Sequence, residues 1–190
     1  MTFEFVEQGR PTYGPPAPVQ IIQEEVDFAP LLDLYRERKP MRVLEVGTYT
    51  GGTFFHWLQN AQPGSVVVSV DMYEDADNTH LYDSWAPEGV TWHAIKGESS
   101  DEETVEAARA LSPYDWIFID AGHREHEVRA DWENYGPMAS PGGIVAFHDI
   151  AEMPDLPSIQ VDKVWSEIKQ GRETREILNP DTSGIGIVFV

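Results

Sequence analysis

Acidic and histidine side chains follow two apolar runs of the sequence, at the points where the runs end. Asp120 and His123 come after WIFI, and His148 with Asp149 comes after IVAF. On neighbouring strand ends, Asp120, His148 and Asp149 could hold a divalent cation. Oxygen ligands suit Mg²⁺ or Mn²⁺, while the imidazole shifts the preference toward a transition metal. A histidine titrates near neutrality and accepts a proton without further tuning, so His123 is our first choice of general base.

Three glycines crowd the stretch EVGTYTGGT at 45–53, where an apolar run gives way to a helical pattern. Crowded glycines either make a tight connection or let a ligand approach the backbone closely. The spacing of Gly47, Gly51 and Gly52 differs from the G-x-G-x-x-G fingerprint that grips a pyrophosphate, which counts against a dinucleotide. The spacing suits a wider loop that passes close to a small zwitterion.

Further polar residues stand at the ends of the next two apolar runs. Asp71 follows VVVSV, where an acid can accept hydrogen bonds from the hydroxyls of a ribose. Glu98 and Ser99 follow the third run and are placed to meet an adenine edge. Glu45 lies within the first run and is expected to point toward the same crevice and organise the loop. Together these positions favour a nucleoside ligand without phosphates.

The elements that must position these residues follow a regular alternation. Short apolar runs alternate with helical patterns, which predicts a parallel sheet covered by helices on both faces. Ser100 and Glu103 are expected to form a capping box at the start of one helix. The predicted strands are 43–46, 66–70, 90–95, 116–119 and 144–147, and the helical stripes lie within 24–38, 54–61, 105–111, 128–135 and 161–168.

The C-terminal end breaks this alternation. The runs at 174–178 and 185–190 are separated by NPDTSG, which is too short for a parallel crossover, so they should form an antiparallel hairpin. The sequence therefore predicts an α/β domain with a doubly wound, mostly parallel sheet of seven strands over residues 20–190. A proline-rich arm at 1–19 is expected to lie on the surface or on a partner.

Composition narrows the class of partner. The 190 residues carry 33 acidic and 13 basic side chains, a formal net charge of −20, which should repel a nucleic-acid backbone. There is no apolar run long enough for a membrane helix, and the first ten residues lack the features of a secretory signal. With no cysteine, a reducing cytoplasm is the expected location.

The quoted motifs, taken in chain order, resemble those of class I S-adenosylmethionine-dependent methyltransferases over residues 20–190. They are E-V-G-x-x-x-G-G-T, Asp71 after VVVSV, GES at 97–99, YDWIFIDAGH at 114–123 and PGGIVAFHD at 141–149. The F-I-D-x-x-H and F-H-D segments are similar to the small-molecule O-methyltransferases grouped with cephalosporin hydroxylase-like proteins. The resemblance implies the strand order 3-2-1-4-5-7-6, with the last strand antiparallel, and S-adenosyl-L-methionine as the cofactor.

The resemblance also implies roles for individual residues. In catechol-type relatives the fourth strand supplies an aspartate, a basic residue follows at the position of His123, and the fifth strand ends in Asp-Asn where this chain has His148 and Asp149. The bend at 47–52 would contact the methionine end of the cofactor. The cofactor-binding candidates are Glu45, Gly47, Thr48, Tyr49, Gly51, Asp71, Met72, Glu98, Ser99 and Asp120; the catalytic candidates are His123, Asp120 and His148; the metal candidates are Asp120, His148 and Asp149.

Two functions remain open at this point. The first is methyl transfer to a hydroxyl of a small molecule such as a sugar or a phenol, with Mg²⁺ or Mn²⁺ assisting. The alternative is a catalytically inactive module that binds S-adenosylmethionine, suggested by Gly122 and by His148 in place of an acid. The chain has little material to cap the pocket, so we expect a homo-oligomer in which a second subunit closes it.

Overall fold

The computed structural model describes residues 18–72 and 78–190, in which strands and helices alternate from residue 25 onward. The strands are β1 (Arg42–Val46), β2 (Val66–Asp71), β3 (Thr91–Lys96), β4 (Tyr114–Ile119), β5 (Ala139–His148), β6 (Glu173–Ile177) and β7 (Ile185–Phe189). The helices are α1 (Glu25–Arg38), α2 (Gly52–Asn60), α3 (Tyr82–Trp85), α4 (Glu102–Arg109), α5 (Glu125–Tyr135) and α6 (Val161–Ile168), with 3-10 turns at Thr79–Leu81 and Gly136–Met138.

All seven strands form one sheet in the order β3-β2-β1-β4-β5-β7-β6. The first five strands pair in parallel, and β7 runs antiparallel to both β5 and β6. The predicted fold class, strand order and C-terminal hairpin are confirmed. Because the order reverses between β1 and β4, the carboxyl ends of β2, β1, β4 and β5 meet around one crevice, where open α/β sheets bind ligands.

Helices cover both faces of the sheet because the central strands are apolar on both sides. Val43 packs with α1, α2 and α3 on one face, where Trp57 and Trp116 are fully buried. Leu44 and Val46 pack with α4, α5 and α6 on the other face. Burying a large apolar side chain contributes about 1.5–3 kcal/mol, so these two layers fix the strand ends from both sides.

The glycines of the bend between β1 and α2 are required by the protein's own backbone. Gly47 has φ +89°, and a Cβ there would overlap the carbonyl oxygen of Asp120. A Cβ on Gly52 would overlap the carbonyl oxygen of Gln20. Gly51 precedes α2 with φ +88°. The crowding of glycines therefore reflects close packing of the bend against two other backbone segments as well as a tight turn.

One local expectation is wrong, and a second lies almost entirely outside the described residues. The capping box of Ser100 and Glu103 is wrong, because α4 begins one residue later, after Asp101, and forms no side-chain cap. The proposed arm at 1–19 falls outside the described residues except for positions 18 and 19. Every helix in the described ranges is too short or too polar to cross a membrane.

Candidate functional site

A cavity of about 940 Å³ opens at the carboxyl ends of the central strands. Its size lies within the range of pockets that take small-molecule ligands. Four strand ends contribute Gly47, Asp71, Asp120 and His148, and the loop after β3 contributes Glu98. The structure thus brings the residues singled out at successive strand ends into one space.

One end of the cavity is built on Asp71. The backbone N–H of Tyr49 donates to Asp71 Oδ2 at 2.6 Å, so the carboxylate is joined to the glycine bend. The N–H of Gly97 donates to the carbonyl of Asp71 at 3.0 Å, which holds the loop after β3 beside it. Asp71 therefore connects the two segments that were expected to contact the methionine end and the adenine of the cofactor.

The loop that carries Glu98 and Ser99 is supported from below by α5. The hydroxyl of Tyr135 donates to the carbonyl of Ser99 at 2.7 Å. Asp131 lies one helical turn before Tyr135 on α5 and is fully buried. Burial raises the pKa of the Asp131 carboxyl to about 6. The support from Tyr135 was not predicted, because on α5 this residue carries the ordinary signature of a half-buried helical face.

Most of the predicted cofactor residues line the cavity, but Glu45 and Gly51 do not. Glu45 is fully buried beneath α2, where its Oε1 accepts a hydrogen bond from Trp57 Nε1 at 2.9 Å. Burial raises the pKa of Glu45 to about 8. Glu45 is therefore placed to support the bend from behind rather than to touch a ligand. The predicted residues that line the cavity are Gly47, Thr48, Tyr49, Asp71, Met72, Glu98, Ser99, Asp120, His123, His148 and Asp149.

The other end of the cavity holds a cluster of two carboxylates and two imidazoles. His123 Nε2 lies 3.0 Å from Asp149 Oδ2 and 3.7 Å from Asp120 Oδ1. His148 Nδ1 lies 3.1 Å from Asp149 Oδ1 and 3.3 Å from Asp120 Oδ1. Each histidine therefore faces both carboxylates.

The charges in this cluster shift one another's titration. Burial alone would raise the pKa of Asp120, but the charge of His148 and hydrogen bonding to both histidines outweigh burial and lower it to about 2. Hydrogen bonding to Asp120 and Asp149 raises the pKa of His123 to about 10. Burial opposes protonation of His148, yet the Asp120 charge raises its pKa to about 9. The two carboxylates thus favour the protonated form of both imidazoles, which differs from the expectation that His123 titrates near neutrality.

The set of atoms that could hold a cation differs in one member from the predicted set. Ligand atoms of Asp120, His123 and Asp149 lie within 4.8 Å of one another. His123 thus takes the place expected for His148. His148 Nε2 instead lies 3.0 Å from the hydroxyl of Ser183. Two carboxylates and one imidazole are a donor set that fits a divalent cation such as Mn²⁺.

Two further residues of the cluster were not predicted. Gln23, just before α1, donates from Nε2 to Asp120 Oδ2. A lone glutamine outside any periodic pattern gives no signal in the sequence. Ser183 could have been found, because an antiparallel β7 pairs Ile185 with His148 and so brings the preceding turn beside the end of β5.

Apolar side chains surround the mouth of the cavity beside this cluster. Ile22, Met153, Leu156 and Ile159 line it, and the side chains of Ile22 and Leu156 are about half exposed at 48% and 52%. Met153 and Leu156 belong to the segment that follows β5, so this segment forms part of the mouth.

A sheet of this order, with a glycine bend after β1, an acid at the end of β2 and the open crevice between them, defines the class I methyltransferase fold. The model of the family described as "Methyltransferase domain" matches residues 44–150, more than half of the chain. The chain belongs to this family of methyltransferase domains, as its motifs predicted.

One curated relative matches this chain in sequence, and several solved structures share its fold. Uncharacterized protein y4gI of Sinorhizobium fredii (strain NBRC 101917 / NGR234) is 25% identical over 167 residues, 80% of this chain, and the chain spans 17% of that protein's length. TomG, an O-methyltransferase from Streptomyces achromogenes solved with SAM, has a TM-score of 0.63 at 18% identity over 84% of this chain and 77% of its own. An O-methyltransferase from Bacillus cereus solved with SAH has a TM-score of 0.64 at 16% identity over 92% and 84%.

One further structure with the same fold contains a metal. MycE, a methyltransferase of the mycinamycin biosynthetic pathway, was solved with Mg and SAH. It has a TM-score of 0.60 at 20% identity, and the match covers 85% of this chain and 49% of MycE. At these identities the likeness establishes a common fold.

Proposed function

We propose that this chain transfers a methyl group from S-adenosylmethionine to a hydroxyl of a small molecule, assisted by a divalent cation. The observation that carries the proposal is the bond from Tyr49 N to Asp71 Oδ2 at 2.6 Å. It joins the glycine bend to the acid at the end of β2, in the same cavity that holds the acid–histidine cluster. A nucleoside-binding end and a proton-handling end thus share one space.

The donor set at the first end fits the cofactor. The Asp71 carboxylate is an acceptor for the ribose hydroxyls, as acids at this position of the sheet are. Glu98 and Ser99 would meet the adenine edge, and Met72, 43% exposed, offers an apolar surface beside it. The backbone of the bend from Gly47 to Tyr49 would contact the methionine end. Glu45 has no part in this contact, since it lies behind the bend.

The packing of the bend brings the transferred methyl near the cluster. Gly47 lies directly against the backbone of Asp120, so the methionine end and the end of β4 are neighbours. A sulfonium carbon is already electrophilic, and the remaining tasks are to align the acceptor and to remove its proton. Asp120, His123 and Asp149 are placed to align the acceptor through a cation, which would make the hydroxyl proton easier to remove.

A divalent cation held by Asp120, His123 and Asp149 would lower the pKa of the acceptor hydroxyl by acting as a Lewis acid. The carboxylates that face His123 and His148 raise the pKa of both imidazoles and so favour a proton on each. A cation competes with the proton on His123 for the same nitrogen. We therefore expect the cluster to accept a proton from the acceptor poorly when no cation is present.

Calorimetry with S-adenosylmethionine tests the cofactor part of the proposal. Asp71→Asn should weaken binding at least about tenfold, because hydrogen bonds to a charged acceptor contribute about 1.5–3 kcal/mol each. Asp33→Asn is the matched control, since it makes the same change on the exposed surface of α1. Folded wild-type protein that gives no binding heat would exclude the proposal.

A double variant separates the enzyme from the inactive binding module. Asp120→Asn combined with His123→Gln should keep cofactor affinity within about threefold and abolish transfer, because the two residues act on the acceptor side. Release of S-adenosylhomocysteine from a panel of hydroxylated acceptors is the readout. If wild-type protein binds the cofactor but the biological role of the chain survives the double substitution, the non-catalytic alternative is correct.

A further inference from the structure

Gln23 reaches the acid–histidine cluster from a part of the chain far away in sequence. It precedes α1, its side chain lines the cavity, and the residue is 6% exposed. Its Nε2 donates to Asp120 Oδ2 across 97 positions of sequence. A buried carboxamide directed at a carboxylate in this way is a specific contact rather than a surface one.

The segment just before Gln23 is held by contacts with the glycine bend and the core. The hydroxyl of Thr50 donates to the carbonyl of Gln20 at 2.5 Å, and Ile21 is buried in the core at 3% exposure. The backbone at Gln20 also packs so closely on Gly52 that no side chain fits between them. These contacts fix the backbone two residues before Gln23, and burial together with the bond to Asp120 holds its carboxamide.

The two oxygens of Asp120 have different partners. Oδ2 accepts a hydrogen bond from the carboxamide of Gln23. Oδ1 lies 3.3 Å from His148 Nδ1 and 3.7 Å from His123 Nε2. An ionised carboxylate only accepts hydrogen bonds, so the carboxamide must present its NH₂ group. The contact sets the rotation of the carboxylate and leaves Oδ1 directed at the cluster.

We propose that Gln23 is a positioning residue for the cation: it occupies Asp120 Oδ2 and thereby directs Oδ1 toward the site formed with His123 and Asp149. This inference rests on the cation-assisted form of the proposed function. Hydrogen-bond partners of metal-binding carboxylates commonly change metal affinity about 10- to 100-fold when removed. Gln23 would thus link the segment packed on the glycine bend to the geometry of the cation.

Mn²⁺ binding to the cofactor-free protein tests this role without an activity assay. Gln23→Met keeps the length of the side chain and removes the donor, and Gln170→Leu is a control on the exposed surface after α6. Loss of the free Mn²⁺ signal in electron paramagnetic resonance gives the affinity. We expect at least about tenfold weaker binding in Gln23→Met and no change in Gln170→Leu. S-adenosylmethionine affinity, measured in parallel, should stay within about threefold in both variants.

The outcomes are distinct. Equal Mn²⁺ affinity in Gln23→Met and wild type would overturn the inference. Loss of both Mn²⁺ and cofactor binding, together with a lower Tm, would also overturn it, because Gln23 would then be a structural residue. Wild-type protein that binds no Mn²⁺ would exclude this role and the cation, whereas cofactor binding reports separately on methyl transfer as the function.

Discussion

Glu45 should make the stability of the protein depend on pH in a way that one substitution removes. The residue is fully buried beneath α2, with Trp57 Nε1 donating to its Oε1. Burial raises the pKa of Glu45 from 4.5 to about 8. Glu45→Gln keeps the shape of the side chain and an oxygen for Trp57, but it cannot ionise.

The magnitude follows from the linkage between proton binding and folding. Between pH 4.5 and 8 the folded protein keeps a proton on Glu45 that the unfolded chain releases, so stability falls as pH rises through this window. A tenfold change in ionisation corresponds to about 1.4 kcal/mol. Glu45 alone should lower the free energy of unfolding of the wild-type protein by about 3 kcal/mol between pH 4 and pH 7, and by about 5 kcal/mol by pH 9.

Urea denaturation followed by tryptophan fluorescence at several pH values from 5 to 9 measures this contribution. The difference between Glu45→Gln and wild type should be within about 1 kcal/mol at pH 5 and should grow steadily in favour of the variant up to pH 8. Glu106→Gln, which removes an exposed charge paired with Arg109, is the control. Parallel curves for wild type and Glu45→Gln from pH 5 to pH 9 would refute the raised pKa.

Three other predictions concern the bend, the loop after β3 and the cation. Gly47→Ala should lower the free energy of unfolding by at least about 3 kcal/mol and Gly142→Ala by about 1–2 kcal/mol. Both glycines have positive φ, but only Gly47 lies against the Asp120 carbonyl. Equal losses in urea denaturation would show that φ alone matters. Tyr135→Phe removes the hydrogen bond to the Ser99 carbonyl, a contribution of about 1 kcal/mol, and should weaken S-adenosylmethionine binding about threefold to tenfold in calorimetry. Unchanged affinity would mean that the loop holds its position without that bond. A chelator should lower methyl transfer at least about 100-fold and Mn²⁺ should restore it, whereas undiminished turnover in excess chelator would leave proton removal to His123 or His148 alone.

Much of the fold could be predicted because its central strands are apolar on both faces. Runs such as 66–70 and 116–119 can only be buried between two layers of helices, and the short spacer before β7 excludes a parallel crossover. Local signals were less informative. Ser100 and Glu103 have the spacing of a capping box, yet the helix begins after Asp101. Just before that boundary the hydroxyl of Tyr135 donates to the carbonyl of Ser99, a tertiary contact that no short sequence pattern encodes.

The candidate site was predictable to the extent that it lies at strand ends. Asp71, Asp120 and His148 end parallel strands, so the topology alone brings them together. The predicted orientation of Glu45 was wrong. Side chains alternate between the two faces of a strand, and that of Glu45 faces α2 instead of the crevice. Gln23 could not be predicted, since its approach to Asp120 depends on how the segment before α1 packs on the bend.

The titration of His123 also depends on tertiary structure. An isolated histidine titrates near neutrality, but two carboxylates from different strand ends surround this one. Their contacts raise its pKa to about 10, and this changes which state of the cluster can take a proton from an acceptor. The residue types indicated the chemistry, and the distances between them decided the protonation state.

A crystal structure of the protein with S-adenosylhomocysteine and Mn²⁺ would test most directly whether the crevice holds both cofactor and cation. We predict ribose hydroxyls within hydrogen-bond distance of the Asp71 carboxylate and an anomalous Mn²⁺ peak bounded by Asp120, His123 and Asp149. Nucleoside density on the far side of the sheet from Asp71, or a fully occupied cofactor with no such peak at saturating Mn²⁺, would contradict the proposed site.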